Sequence, residues 1–592
     1  MTVEEIIAPD RESITSIEES LDGMMARLET IISHPPLTED TLVEIMAIYN
    51  NVAYIFLYLD AIDDVDNYQR LLPRRARFHD NPELDARVLA LLEEMHCTDP
   101  EVEDARLEYI DQLRKGMIQD PTAEKEINAR LAKANAVLDQ LRDDQNRLVE
   151  RIVAGGSSAN PWAVYYKLIS ETTSATTRQK LVRAWRVLRD RRLDDLVAAV
   201  DEMIHLRRAD SAAHGFPHVL ARSLERSRLA EAEIEPFLSA YLRQAFDNHQ
   251  KLAAEVSAAT GITDDPMDHF EYALHSSFAE VPPPLFVLDE CLDYIFAVTR
   301  SVFGLDIERV DDPHPDVIAV DVHRAGVPIG QIKFDLWNKG ARKYAANHTN
   351  GIRNRTDWKG LVQRPVAYVA CRFQADADGT NRITFQNIHS LFHEFGHALN
   401  HLLIRKRLSF QSGLEYLPPE RLECLSMWFE KWVYHPEFSR FLTLPADDPD
   451  ALERCKSIKM IEFRRTYAER ATSAMLDFDV NRSNSGGLRE SWERLDEKLG
   501  ASQYTRFGDF PAYFTWPMYV GKPGANFAYL WGSAFSCEAF APFRTLSLKE
   551  IADRPQLREL FESCFDFDAP STPPNPAAVF DFYNAASLTG SA

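Results

Sequence analysis

The first half of the chain carries apolar residues spaced three and four apart among charged ones. This spacing places apolar side chains on one helical face, because an α-helix repeats every 3.6 residues. It predicts helices at 14–32, 42–59, 82–94, 101–118, 177–207, 231–258 and 285–302. A stretch rich in glycine and serine, at 154–161, predicts a linker between the first four helices and the rest.

Alternation of apolar and polar residues first becomes clear after residue 316. Such alternation predicts strands, because successive side chains of a strand point to opposite faces. The predicted strands are 317–322, 327–336, 366–373 and 382–385. They imply a small sheet, and an edge strand of that sheet could align an extended peptide through main-chain hydrogen bonds. The predicted fold is therefore mainly α, with a small β-sheet.

Two further helices are predicted beyond these strands. Apolar residues between 391 and 403 form one face of the first helix, and Asn387 is its predicted N-cap. The pair Pro418-Pro419 favours a second helix that begins near Glu420 and continues to Trp432, because proline is tolerated in the first turn.

The first of these helices carries His393, Glu394 and His397 in the order H-E-x-x-H. Residues four apart lie about 40° apart around a helix, so both imidazoles can share one tetrahedral Zn2+. Glu394 then lies beside the open coordination position, where it can take a proton from water. We therefore predict one zinc ion per chain and a catalytic Glu394.

A second interpretation is a buried amphipathic helix that carries histidines by chance. Histidines at 389, 393, 397 and 401 form a stripe with a period of four, which offers three pairs at helical spacing. Only the middle pair has a glutamate directly after its first histidine. This feature favours the zinc interpretation over the chance stripe.

A catalytic zinc site also needs a third protein ligand and an open position. The downstream candidates are Glu415, Glu420, Glu423, Glu430 and His435. Glu423 follows His393 by 30 residues, which suits a second helix packed antiparallel after a loop. Glu430 lies two turns further along and is a candidate for supporting a ligand from behind. A solvated helix face explains any one of these glutamates equally well, so spacing leaves the choice open.

Several segments around the motif resemble the family of zinc peptidases that contains thimet oligopeptidase, oligopeptidase A and dipeptidyl carboxypeptidase. The segments are 330–336 with Lys343-Tyr344, 364–370, 391–399, Leu422-Glu423, 429–432 and Tyr529-Leu530-Trp531. The similarity covers roughly residues 325–540. It implies that Glu423 is the third zinc ligand. It also implies two helical lobes that flank a deep channel, which admits short, unstructured peptides.

The segment 516–529 keeps the position of the family's substrate loop but few of its residues. Family members usually carry a histidine and tyrosines there, which hold the substrate and stabilise the oxyanion. Pro517 stands at the histidine position, and Lys522 and Asn526 stand at tyrosine positions. Losing one oxyanion donor typically costs roughly 100- to 1000-fold in turnover, so these changes indicate altered substrate demands.

Three residues of this segment remain candidates for stabilising the oxyanion. Tyr529 matches the family pattern, and Tyr519 or Lys522 could replace a missing donor. A surface lysine in a flexible loop explains Lys522 equally well.

Composition limits the partners and the compartment. A formal net charge of −25 argues against nucleic acid, because phosphate binding needs clustered Lys and Arg. Solubility explains this charge more simply than an acidic funnel for basic peptides. Seven cysteines without a C-x-x-C pair indicate a reduced, cytoplasmic chain. Because we find no signal-peptide pattern and no apolar run of roughly 18 residues, we expect no membrane partner.

Together these features predict a cytoplasmic zinc metallopeptidase, an oligopeptidase that hydrolyses short peptides. We expect a helical region at 1–155, a second helical region at 156–310 that completes the channel wall, and a catalytic region at 311–592. We expect a monomer or a weak homodimer. One alternative is a zinc enzyme that processes a single modified peptide or amide in a biosynthetic pathway. Another is a non-catalytic peptide-binding homologue, although binding alone requires no general base at Glu394.

Overall fold

The computed structural model describes residues 12–79, 81–118, 121–152, 161–278, 284–338, 347–374, 381–444, 446 and 448–588. Residues 153–160, which include most of the predicted linker, and Lys343-Tyr344 lie outside this part. Within it the fold is mainly helical with a small mixed sheet, as predicted.

The helices follow the apolar periodicity of the sequence. In chain order they are α1 (Ile14–Ile32), α2 (Glu39–Ala61), α3 (Val65–His79), α4 (Pro82–Glu94), α5 (Pro100–Ile118), α6 (Pro121–Ile152), α7 (Pro161–Glu171), α8 (Ala175–Asp190), α9 (Leu193–Ala213), α10 (Val219–Ser223), α11 (Glu231–Thr260), α12 (Phe270–Phe278), α13 (Leu288–Phe303), α14 (Phe385–Leu403), α15 (Cys424–Lys431), α16 (Ala451–Arg482), α17 (Leu488–Leu499), α18 (Pro517–Gly521), α19 (Phe527–Phe540), α20 (Leu548–Ala552), α21 (Glu562–Phe565) and α22 (Ala577–Tyr583).

Local capping explains why two predicted helices have the expected bounds. Ser13 accepts a hydrogen bond from the backbone N–H of Ser16 at the start of α1. Asn81 accepts one from Leu84 at the start of α4. Such caps satisfy N–H groups that have no partner inside the helix. In contrast, the helix predicted at 177–207 is two helices, α8 and α9, which are separated at Arg191 and Arg192.

The strands are β1 (Leu285–Val287), β2 (Leu305–Val310), β3 (Ile318–Arg324), β4 (Val327–Trp337), β5 (His348–Arg353), β6 (Thr356–Trp358), β7 (Leu361–Gln363), β8 (Val366–Phe373) and β9 (Arg382–Thr384). The main sheet has the order β2-β3-β4-β8-β5, with β4 and β8 parallel and the other pairs antiparallel. The prediction of a helix from residue 285 was wrong for its first three residues, because they pair with β9.

The described chain forms two compact units, each assembled from separated stretches. Unit 1 consists of Met1–Gln119, Leu285–Thr443 and Ala539–Pro570, and unit 2 of Asp120–Pro284, Leu444–Glu538 and Ser571–Ala592. Each unit takes residues from more than one of the three predicted regions. The regional boundaries, and the channel between two lobes, stay predictions.

In unit 1, α14 packs its apolar face against the main sheet. The Phe395 ring lies parallel to that of Phe334 in β4, with the ring centroids 6.3 Å apart. Leu391, Phe392 and Phe395 are completely buried. Because each buried Leu or Phe side chain stabilises the fold by about 1.5–3 kcal/mol, this packing holds α14 firmly on the sheet.

Unit 2 is built around the two long helices α11 and α16, which pack against each other. A buried amide joins them: Asn248 Nδ2 donates to the carbonyl oxygen of Arg464 over 2.8 Å. The guanidinium of Arg464 forms an ion pair with Glu255, at 2.6 Å. These polar contacts set the register of the two helices.

Among the described helices, α2 is long and apolar enough to cross a membrane by length and composition alone. Of its apolar 18-residue window, 72% is buried inside the protein, which is typical of a core helix. This helix corrects the expectation that no apolar run of that length occurs. No disulfide joins the seven cysteines, all of which lie among the described residues.

Candidate metal centre

Helix α14 carries both motif histidines on the side that faces α15. The helix begins at Phe385, directly after β9, and Thr384 accepts a hydrogen bond from the N–H of Asn387 at 3.2 Å. The prediction of Asn387 as N-cap was therefore wrong. Pairing of β9 with β1 extends the strand to Thr384, whose hydroxyl then caps the helix.

Glu423 lies at the N-terminal end of α15 and not inside a helix that starts near Glu420. A 3₁₀ turn at Pro419–Arg421 precedes it, and Glu423 is the N-cap residue of α15. The helix crosses α14 at Gly396, where an added Cβ would lie 2.5 Å from the Cα of Ser426. Only glycine permits this approach, which brings Glu423 up to the two histidines.

The three donor atoms form a nearly equilateral triangle. His393 Nε2 lies 3.2 Å from His397 Nε2. Glu423 Oε2 lies 3.4 Å from the first of these nitrogens and 3.3 Å from the second. Donors about 2.0–2.1 Å from one tetrahedral zinc lie about 3.3–3.4 Å from each other, so this donor set fits a zinc ion. Among the described residues, these three form the group of His, Cys, Asp and Glu that could hold a metal.

Glu430 supports the first histidine from behind. Its Oε1 accepts a hydrogen bond from His393 Nδ1 at 2.7 Å, and its other oxygen lies 3.5 Å from His389 Nε2 and from Lys431 Nζ. A proton on Nδ1 leaves the lone pair of His393 Nε2 directed at the triangle. Glu430 is thus in contact with His393, and its role as support for a metal ligand stays a prediction.

Electrostatics at the centre favour a cation. Burial lowers the pKa of His393, but the hydrogen bond to Glu430 and the charges of Glu423 and Glu430 together raise it to about 10. Burial raises the pKa of Glu423, but the neighbouring imidazoles and the Ser426 hydroxyl hold it below its usual value. Two buried anionic carboxylates therefore surround the histidines, and a divalent cation would neutralise them.

Glu394 is buried beside this triangle and is held by Thr349. The Thr349 hydroxyl lies 2.8 Å from Glu394 Oε2 and 2.9 Å from its carbonyl oxygen. Sequence reasoning missed Thr349, because β5 shows no apolar alternation that would predict a strand. This strand is one edge of the main sheet. A residue of this edge strand, Thr349, therefore contacts the predicted general base, while alignment of a peptide by an edge strand stays a prediction.

The other proposed third ligands have different contacts. Glu415 accepts a hydrogen bond from Asn354 Nδ2 at 2.9 Å. Both ring nitrogens of His435 are engaged, by the carbonyl of Phe543 and the N–H of Glu437. At the end of the histidine stripe, His401 Nε2 lies 2.8 Å from the carbonyl oxygen of Arg353. His401 is therefore engaged by another part of unit 1, whereas the middle pair, His393 and His397, lies at Glu423.

The predicted oxyanion donors Tyr519, Lys522 and Tyr529 belong to unit 2. Tyr519 is buried, and its hydroxyl donates to Ser473 over 2.9 Å and accepts from Asn526. Lys522 and Tyr529 are half-buried. Their roles as donors stay predictions.

Asp477 of α16 anchors the same segment and was missed by sequence reasoning. Its carboxylate accepts hydrogen bonds from the backbone N–H groups of Gly524 and Asn526, at 3.0 and 3.1 Å. Burial raises the pKa of Asp477 to about 7, although these hydrogen bonds oppose the shift. An aspartate in the middle of a helix carries no local signal for such a role.

Gly396→Ala is expected to destabilise unit 1 and to weaken metal binding. The new methyl would lie 2.5 Å from Ser426 Cα and 2.8 Å from the Leu425 carbonyl oxygen, so α15 must move and carry Glu423 with it. Overpacking of this kind typically costs about 1–3 kcal/mol, measurable by denaturant unfolding.

Gly23→Ala is the matched control for this change. Gly23 lies inside α1 with no atom within 4 Å of a new Cβ, so alanine should raise stability by up to about 1 kcal/mol. Equal effects of the two changes would contradict the packing argument.

The similarity of the chain to known proteins agrees with this geometry. The family model of peptidase family M3 matches residues 168–553. Oligopeptidase A of Escherichia coli is 24% identical over 371 residues, which cover 58% of this chain and 54% of that protein. Dipeptidyl carboxypeptidase of Salmonella typhimurium is 23% identical over 608 residues, which cover 89% of this chain and 88% of that protein.

The extent of these matches differs between relatives. The chain spans about half the length of the oligopeptidase A relatives of Escherichia coli and Salmonella typhimurium. A crystal structure described as that of an oligoendopeptidase F shares the fold, with a TM-score of 0.51 and 12% identity, covering 100% of this chain and 99% of that chain.

The family resemblance inferred from the motif segments is confirmed by the family model. The chain belongs to peptidase family M3.

Proposed function

We propose that this protein is a zinc metallopeptidase, an oligopeptidase that hydrolyses peptide bonds in short, unstructured peptides. The observation that carries the proposal is the triangle of His393, His397 and Glu423, with donor distances of 3.2–3.4 Å, beside the buried carboxylate of Glu394. A three-ligand site with an adjacent glutamate is the arrangement of a catalytic centre, whereas structural zinc sites are closed by four protein ligands. Family membership supports the same reaction class.

In this proposal His393, His397 and Glu423 hold the metal, which would act as a Lewis acid and lower the pKa of bound water. Glu394 takes a proton from the attacking water and passes it to the leaving nitrogen. The Thr349 hydroxyl contacts Oε2 of Glu394 and so fixes the direction of its carboxylate. Glu430 holds the ring of His393 in the orientation that presents Nε2.

We propose that the segment 516–529 supplies the donors that stabilise the oxyanion. Tyr529, which matches the family pattern, is the proposed main donor, and Lys522 is the proposed second donor. Tyr519 is less suited to this role, because its hydroxyl already contacts Ser473 and Asn526. A cytoplasmic setting belongs to the proposal and is supported by seven cysteines without a disulfide.

Incubation with a library of quenched fluorescent peptides tests the proposed function. Zinc-loaded protein should cleave peptides of short length, and a chelator should abolish cleavage, because the water would lose its activating metal. Added zinc should restore it. Cleavage that persists at full rate in the chelated protein would contradict the zinc mechanism.

The departures in segment 516–529 favour a second candidate, a zinc enzyme that processes one modified peptide or amide. The family's histidine is replaced by Pro517, and Asn526 stands at a tyrosine position and contacts Tyr519. A library that stays uncleaved while zinc analysis finds about one zinc per chain would support this candidate over a general oligopeptidase.

A further inference from the structure

Unit 1 contains a cavity at the C-terminal end of α14 that is separate from the metal-binding triangle. Its volume is about 430 Å³. Its walls come from the ends of α13, β3 and α14, the start of β4, the β6–β7 hairpin, and α21 with the turn that leads into it. None of the three metal-binding side chains is among the described residues that line it.

Five arginines line this cavity, in a chain whose net charge is −25. They are Arg324, Arg355, Arg364, Arg405 and Arg558. Asp357 and Glu562 are the carboxylates among its lining residues, so three positive charges remain in excess. The sign of this excess is opposite to that of the whole chain, and general solubility therefore does not explain the cluster.

Among the described residues, three of the five arginines have no anionic partner. Arg405 pairs with Glu562, and a guanidinium nitrogen of Arg355 lies 3.3 Å from an Asp357 oxygen. Within the described part of the chain, no ion pair engages the other three, which are Arg324, Arg364 and Arg558. Like charges in one concave site repel each other and attract counter-ions.

The electrostatic environment of Arg324 shows that these guanidinium groups act on one another. Burial lowers the pKa of Arg324, and the positive charges of Arg558, Arg355 and Arg405 lower it further. Arg324 ends β3, whereas Arg558 lies in a 3₁₀ segment more than 200 residues later. The fold thus brings together cations from distant parts of the chain.

Part of the remaining wall of the cavity is apolar, beside the polar residues Thr356 and Gln363. This apolar part includes Phe303, Val327, Ile329, Val362, Leu402 and Phe565. Small-molecule sites commonly have volumes of about 300–1,000 Å³, with an apolar lining and a few placed polar groups. Guanidinium groups bind phosphate through paired N–H donors, which makes arginine the preferred residue for clustered phosphates.

We propose that this cavity binds an organic polyphosphate, with its phosphate groups on the arginines and a ring system on the apolar wall. A nucleoside triphosphate has this chemistry. The site is independent of the proposed peptidase activity, because it shares no residue with the metal-binding triangle.

Titration calorimetry of the full-length protein with ATP at low ionic strength tests the proposal. We expect binding of one ATP per chain, with an affinity that falls as salt is added because the contacts are ionic. Measurements on zinc-loaded and on chelated protein should agree, since the metal centre is not involved. Tripolyphosphate should bind more weakly because it lacks the ring. Equal affinity for tripolyphosphate would overturn the role of the apolar wall.

The double substitution Arg324→Gln/Arg558→Gln should weaken ATP binding about tenfold or more. The matched control Arg142→Gln/Arg440→Gln removes two exposed charges outside the cavity and should leave affinity unchanged. Arg324→Lys/Arg558→Lys keeps the charge but not the paired donors, and should give an intermediate affinity. If the double glutamine variant does not fold, the single variant Arg558→Gln is titrated in its place, and its affinity for ATP should also be weaker than the parent's. No binding by the parent, or equal binding by parent and glutamine variant, would overturn the proposal.

Discussion

Glu394→Gln is expected to reduce peptide turnover by about 10²–10⁴-fold while zinc content stays at about one ion per chain. The amide has nearly the same shape as the carboxylate but cannot take a proton from water. Thr349 lies 2.8 Å from Oε2 of Glu394 and can still hydrogen-bond to the amide oxygen. The loss should therefore appear in kcat, with KM little changed, because the substitution removes a group needed only in the transition state.

Glu415→Gln provides the matched control for this loss. Glu415 is also in unit 1, and its carboxylate accepts a hydrogen bond from Asn354, so the same change in charge occurs away from the metal-binding triangle. This variant should keep the parent's turnover. Undiminished turnover in Glu394→Gln would mean that Glu394 is not the base. Loss of zinc from that variant would instead assign Glu394 a structural role in the metal centre.

His393→Ala is expected to lower the zinc content after dialysis to less than about one tenth of the parent's, and to abolish turnover. The substitution removes one of three donors that lie 3.2–3.4 Å apart. It also leaves Glu430 without its hydrogen bond from Nδ1. Loss of supporting residues alone typically costs roughly 10- to 100-fold in metal affinity, and loss of a ligand should cost more. Metal analysis by plasma mass spectrometry measures the result.

The histidine stripe supplies a control for this experiment. His401 lies on the same helix and is buried, but its Nε2 contacts the carbonyl oxygen of Arg353. His401→Gln keeps a donor for that carbonyl and should retain zinc at the parent's level. Equal zinc content in His393→Ala and in the parent would refute the assignment of the site.

Much of the helical fold follows from local signals. Apolar residues at helical spacing predicted α1 and α4 with their observed bounds, because Ser13 and Asn81 cap them within one turn. The alternation of apolar and polar residues, which is also a local signal, predicted the strand at 366–373. The strand β5 was not predicted, since most of its residues are polar and it is fixed by pairing with β8, which begins 13 residues after β5 ends.

The candidate site likewise combines features that are local in sequence with features that depend on tertiary packing. The order of His393, Glu394 and His397 by itself determined that two imidazoles share one helix face and that a carboxylate lies beside that face, because helical geometry is local. The choice of Glu423 among the possible third ligands needed either family resemblance or the crossing of α15 over Gly396. Only the tertiary structure showed that the Thr349 hydroxyl contacts the carboxylate of Glu394 and that five arginines line one cavity. Such contacts join residues that are distant in sequence, and they depend on packing that no local pattern encodes.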